Sequence, residues 1–284
     1  MDISIIITTS PIKSNPSTSV IDMALESIRK QEYLKNKQIF IVCDGVTVSD
    51  EKNAFKSGKI TEENREKYIG FKQNLRKIEG PYIHIIERRK RFGFANNILF
   101  VMKEYVKSEF VLIFQHDFVL LRPINFPSIL DSMSRHPEIN YVGFMSNSVV
   151  KLPKKTLSDK KIREGIQKTI GSGINDISKL TTKIVNYYDH LYGLPLFPLD
   201  FWYDRVHIAR KDYYINTVFN PKGNDLNGKK VKTLNFVEDT FGHVMKTRIK
   251  EDFFNEFPNF GTFILWDSYE SVVAHTNGRK FRVD

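Results

Sequence analysis

Hydrophobic positions along the first third of the chain fall into short, nearly continuous runs separated by amphipathic stretches. Residues 3–9 (ISIIITT) form a run rich in β-branched side chains, the pattern of a strand covered on both faces. Ser10-Pro11 ends it. Ser17, Thr18 or Ser19 then caps a helix reaching about Gln31, whose apolar positions Val20, Ile21, Ala24, Leu25 and Ile28 keep helical spacing. QIFIVCDGV is a second buried strand, closed by Asp44-Gly45, and YIHIIE (82–87) a third. Residues 47–80 are polar and rich in Lys and Glu, and read as one or two solvated helices forming an excursion from the core. Residues 94–107 make another helix. FVLIFQHDFVLL (110–121) is the most hydrophobic stretch of the chain and is read as one strand, with Gln115, His116 and Asp117 in its middle. This β-α-β order with apolar strands predicts an α/β fold with a mostly parallel sheet and helices on both faces.

After Leu121-Arg122-Pro123 the pattern loosens. Residues 126–136 read as a helix, 141–146 as a strand, and 151–193 as a basic, helical region. Its GSGIND segment lacks the preceding strand that a phosphate loop needs. Residues 195–220 mix Pro, aromatic and charged residues. VEDTFGHVMKTRI (237–249) reads as a helix opening on Glu238 and Asp239, and VVAHTNGRKF lies close to the end of the sequence. There is no internal repeat.

The length of 284 residues suits one large domain or two closely packed ones. Aromatic residues make up 13%, which suits both a packed interior and platforms for flat ligands. The net charge of +10 raises a nucleic-acid partner, a phosphorylated small molecule or an anionic membrane surface. The basic residues are scattered, so no nucleic-acid face is expected. Cys43 is the sole cysteine, which excludes an intrachain disulfide. No run approaches a membrane span and no basic region precedes the first strand. These features predict a cytoplasmic location and leave a peripheral membrane contact open.

Four places carry candidate chemistry. Asp117, with Gln115 and His116, puts polar groups inside a hydrophobic run at a large desolvation cost, which a divalent cation or a turn at the sheet edge would offset. Asp44 ends the second strand, where ligands bind in open α/β sheets, and an Asp-Gly turn explains it equally well. Glu238-Asp239 at a helix start either complements the helix dipole or supplies a general base. His275 is a metal ligand or a structural histidine.

The order of these motifs resembles the GT-A glycosyltransferases, particularly the broad family 2 type of nucleotide-sugar transferases. SIIITTSP is similar to that family's opening strand and nucleotide loop, ALESIRKQ to its first helix, and IVCDGV to the strand whose final Asp contacts the nucleoside. RRKRFGFANNILFVMK resembles the stretch before the metal strand, FVLIFQHDFVLL the metal strand itself, VEDTFGHVMKTRI the later Glu-Asp motif, and AHTNGR the C-terminal His segment. Residues 1–122 match nearly continuously, while 147–200 match nothing in the family. Gln115 stands where the Asp-x-Asp motif has its first Asp. Its carbonyl still accepts a hydrogen bond, but metal dependence is put in question.

The resemblance implies one GT-A domain over 1–284, with a nucleotide-sugar-binding half (1–122) and an acceptor-binding and catalytic half (123–284), the latter carrying a smaller acceptor-side subdomain. It implies nucleotide contacts from Thr8, Thr9, Ser10, Pro11, Asp44, Arg91, Asn96, Gln115 and His116. Asp117 and His275 would hold Mn²⁺ or Mg²⁺, and Asp239, with Glu238, would serve as the base of an inverting transfer. Trp202, Tyr203, Asp204, Arg205 and His207, which precede the Glu-Asp motif, would bind the acceptor, a glycan, glycoprotein or glycolipid. Three rivals remain: a sugar-phosphate nucleotidyltransferase, disfavoured because SPIKSNPS lacks glycine, a nucleic-acid-binding protein, and a degenerate transferase that only binds.

Overall fold

The computed structural model describes residues 1–50, 53–146, 151–219, 236–268 and 270–276. These fall into two compact units. One comprises the described residues of 2–123 with Phe236 and 274–276, and the other those of 124–231 and 237–273.

In the first unit, the apolar runs become strands. β1 (Ile3–Thr9) is buried along its whole length, as is β2 (Ile39–Cys43). α1 (Ser19–Arg29) joins them and turns Val20, Ile21, Ala24, Leu25 and Ile28 inward. α2 (Glu62–Arg76) precedes β3 (Ile83–Glu87), and α3 (Gly93–Glu104) precedes β4 (Phe110–Gln115). β1 pairs in parallel with β2 on one side and β4 on the other, and β2 pairs in parallel with β3. The order is therefore β3-β2-β1-β4, and the C-terminal ends of all four strands lie along one edge. The register sets Thr9 against Cys43 and Thr8 against Gln115.

Two expectations need correction. The run 110–121 is not one strand: it breaks at a turn over His116 and Asp117 and resumes as β5 (Phe118–Leu120). The turn takes the polar pair out of the strand ladder, and both residues remain buried. Residues 47–80 are also more than a solvated excursion. Thr47–Val48 and Lys59–Ile60 form a small parallel pair, and Tyr68, Phe71 and Leu75 of α2 are buried.

In the second unit, α4 (Phe126–Arg135) precedes β6 (Tyr141–Gly143). Three helices follow: α5 (Leu152–Ser158), α6 (Lys160–Ile170) and α7 (Ile177–Tyr192). Asp159 and Asp176 accept the backbone N–H groups that open α6 and α7, so GSGIND ends as a helix cap. β7 (Leu196–Pro198), β8 (His207–Arg210), α8 (His243–Glu251), α9 (Phe253–Phe260) and β9 (Thr262–Leu265) complete it. β6 pairs with β8 in antiparallel and β9 in parallel fashion, and β7 runs antiparallel to β9. No helix among the described residues is long and apolar enough to cross a membrane.

Candidate functional site

A pocket opens at the C-terminal edge of β1, β2 and β4. Thr8 to Pro11, Asp44, Gly45, Arg91, Asn97 and Gln115 to Asp117 line it, together with Phe55, Phe94 and Phe236. This is where open parallel sheets bind ligands, because the loops there leave the strands in different directions.

Asp44 organises one wall. Its Oδ1 accepts the N–H groups of Gly45 and Phe92 at 3.0 and 2.8 Å, and its Oδ2 accepts that of Gly93 at 2.9 Å. The carboxylate thus caps α3 from another strand, satisfying donors that a helix start leaves orphaned. Gly93 makes this geometry available with a φ of 77°, a left-handed conformation that side-chain-bearing residues resist. Tyr68 Oη donates to the Asp44 carbonyl at 3.0 Å, which ties α2 to the same turn. Oδ2 keeps one lone-pair direction for a ligand.

The opposite wall is the His116–Asp117 turn. The His116 N–H donates to the Thr8 carbonyl at 3.0 Å, and its ring Nδ1 lies 3.2 Å from the same oxygen. Asp117 Oδ2 lies 3.0 Å from His275 Nε2, so the structure brings together the two residues expected to share a cation. The N–H and hydroxyl of Thr276 both donate to the Asp117 carbonyl, at 2.8 and 3.0 Å, and Phe118 packs edge-on against the His275 ring. Asn277, Gly278 and Arg279 of the AHTNGR motif lie outside the described residues.

Three buried oxygens of this pocket have no hydrogen-bond partner in the protein: Thr9 Oγ1, Asn97 Oδ1 and Asp117 Oδ1. A buried acceptor left unmade costs about 1–3 kcal/mol, and more when charged. All three belong to residues that line this one pocket. For a divalent cation the fit is partial. Asp117 Oδ1 is a buried carboxylate oxygen without a protein partner, with an imidazole beside the same group, yet no cluster of three or more metal-binding side chains occurs among the described residues.

Asn97, which was not singled out in the sequence, lines the pocket, and Asn96 is not among the lining residues. Asn96 turns its amide back to the Phe92 carbonyl at 3.4 Å, whereas Asn97 lies on the pocket. The signal was legible, because Asn97 follows Gly93 by four residues and so shares its helix face. Phe55 was missed because it sits in the polar excursion.

The acceptor expectation needs a larger correction. Trp202, Asp204 and His207 are buried inside the second unit. Trp202 packs against Tyr141, Tyr214 and Phe241 and presents no face for a sugar. Its indole N–H donates to Asp204 Oδ1 at 3.2 Å. Asp204 Oδ2 accepts the Glu238 N–H at 3.0 Å, and the Asp204 N–H donates to Glu238 Oε2 at 3.3 Å. Burial holds the Asp204 carboxyl well above the usual carboxylate range and pushes the His207 imidazole down to about 3. Tyr203 and Arg205 are half-buried, with Arg205 donating to Ser146 Oγ at 2.8 Å. Glu238 and Asp239 open a π-helical turn, Glu238–Gly242, that leads into α8, and Asp239 is exposed.

No protein-family model matches the chain, and neither does any curated protein. Among solved structures, S. aureus TarS residues 1–349 is similar at 13% identity with a TM-score of 0.46, over 97% of this chain and 60% of that one. The same protein in complex with UDP-GlcNAc aligns at 13% identity and a TM-score of 0.43, over 94% and 57%. GalNAc-T7 with UDP, GalNAc and Mn²⁺ aligns at 11% identity and 0.33, over 50% of this chain and 22% of that one. The chain spans about 60% of the length of the TarS fragment.

Proposed function

We propose that the protein is a GT-A-type glycosyltransferase that moves a sugar from a nucleoside-diphosphate donor to a hydroxyl acceptor, with inversion. The observation that carries this reading is the group of three unpartnered buried oxygens, on Thr9, Asn97 and Asp117, at the C-terminal edge of a parallel sheet. In this reading Thr8 to Pro11, Asp44 and Asn97 hold the nucleoside, and Arg91 meets the diphosphate. Asp117 and His275 would hold Mn²⁺ or Mg²⁺. A cation there would stabilise the negative charge that gathers on the departing diphosphate.

Asp239 is the proposed base, on the strength of its motif and its exposure. The acceptor oxygen bonds to the anomeric carbon from the face opposite the diphosphate, the bond to the diphosphate oxygen breaks, and Asp239 takes the hydroxyl proton. Tyr203 and Arg205 remain as proposed acceptor contacts, and Trp202, Asp204 and His207 support them from within the core. The acceptor is a glycan or glycoconjugate, and the proposed site of action is the cytoplasm or a surface facing it.

The test is release of nucleoside diphosphate from a panel of nucleotide-sugars, with and without Mn²⁺. One donor should turn over, and Asp239→Asn should lower that rate at least about a hundredfold, the lower end of the usual range for a catalytic base, with nucleotide affinity intact. Unchanged turnover in Asp239→Asn would remove it from the chemistry.

A further inference from the structure

None of the glycosyltransferase motifs falls within residues 47–80, yet Phe55 and Gly58 of that region line the pocket together with Arg91. The backbone there is pinned at several points. The Thr47 N–H donates to the Gly58 carbonyl at 2.9 Å, the Gly58 N–H to the Phe55 carbonyl at 3.0 Å, and the Ala54 N–H to the Lys59 carbonyl at 2.8 Å. Asn53 Oδ1 accepts the Thr61 N–H at 2.9 Å, which ties the segment to the start of α2.

Gly58 is buried, although Lys59 beside it is exposed, and the Arg91 side chain is what covers it. A Cβ at position 58 would lie 2.6 Å from Arg91 Cδ and 2.8 Å from its Nε, closer than real Cβ atoms come to such neighbours. The stem of Arg91 therefore runs directly over bare backbone, and any side chain at position 58 would push it aside. Arg91 is half-buried, and no ion pair of it occurs among the described residues. An arginine laid along a fixed surface has less rotamer freedom to lose when it meets an anion, so more of each charge-assisted bond appears as affinity.

Resting on the nucleotide-sugar reading, we infer that Gly58 is a positioning residue for Arg91. The 53–60 segment holds the guanidinium against the donor's phosphates and gives the site its preference for a nucleoside diphosphate over the bare nucleoside.

Calorimetric titration of the full chain, with Mn²⁺ present, tests this. The probes are the diphosphates of uridine, cytidine, adenosine, guanosine and thymidine, and the nucleoside of whichever binds. In wild type that diphosphate should bind more tightly than its nucleoside. Gly58→Ala and Gly58→Asn should each weaken the diphosphate at least about tenfold and leave the nucleoside within about twofold. Asparagine tolerates a left-handed backbone, so its agreement with alanine separates displacement of Arg91 from backbone strain. Arg91→Ala should cost as much, and adding Gly58→Ala to it should cost no more, because residues acting through one group give non-additive losses. Wild-type diphosphate affinity in both position-58 variants, equal loss of diphosphate and nucleoside, or additive losses in the double variant would each overturn the assignment. Full diphosphate binding in Arg91→Ala would overturn it while leaving the nucleotide site in place. No binding of any diphosphate to wild type would remove the functional reading itself, and the role of Gly58 with it.

Discussion

Position 45 holds a glycine because the backbone of Lys90 and Arg91 passes directly over it. A Cβ there would lie inside the contact distance of the Lys90 carbonyl and 2.8 Å from the Arg91 nitrogen. The obstacle is main chain, so it cannot rotate away as a side chain would. The same turn presents the Asp44 carboxylate to Phe92 and Gly93, so one small residue permits both the close approach and the helix cap. Gly45→Ala should therefore destabilise the protein by about 2–3 kcal/mol and weaken nucleotide binding with it. Chemical denaturation checks the first effect, and a value within 0.5 kcal/mol of wild type would contradict the packing described, as ordinary surface changes fall within about that range. Cys43, one residue away from Asp44, plays no chemical part. Burial pushes its thiol up to about 12, leaving it inert as a nucleophile.

At the scale of elements, the loop 199–206 and the turn 238–242 are joined by reciprocal hydrogen bonds between Asp204 and Glu238. The aromatic group around Trp202, Tyr141, His207 and Tyr214 supports that junction from inside. His207 sits there neutral, its imidazole depressed by burial from 6.5 to about 3. An unfolded chain binds this proton as pH falls below 6.5, while the folded chain refuses it until near pH 3. The folded state thus keeps the full contribution above pH 6.5 and loses it as pH falls through that window, by up to about 1.4 kcal/mol per pH unit. Asp204, raised by burial, acts in the opposite sense. Comparison with His207→Phe isolates the histidine. The variant's deficit in unfolding free energy should shrink between pH 7 and pH 4, and a deficit constant with pH would show that His207 titrates normally.

Across the whole molecule, legibility in the sequence followed how locally each feature is determined. β1, β2 and β4 stood out because strands buried on both faces are continuous apolar runs. Asp44 and Asp117 stood out because each interrupts or ends such a run. The 47–80 region was harder, since its inward face is only Tyr68, Phe71 and Leu75, spaced three and four apart within a charged helix. Trp202, Asp204 and His207 were misread because a mixture of aromatic and charged residues looks the same whether it lines a ligand or satisfies itself in a core. Burial there is decided by partners distant in sequence, Tyr141, Tyr214 and Glu238, which no local pattern reveals.

The central claim is that the pocket bounded by Asp44 and Asp117 binds a nucleoside diphosphate. Thermal shift measures it most directly, with a panel of nucleoside diphosphates and nucleotide-sugars, each with and without Mn²⁺, on wild type and Asp117→Asn. The account predicts that one base class raises the melting temperature of wild type, more strongly with Mn²⁺, and that Asp117→Asn removes the Mn²⁺-dependent part. No shift with any nucleotide, or an equal shift in Asp117→Asn with Mn²⁺, would contradict it.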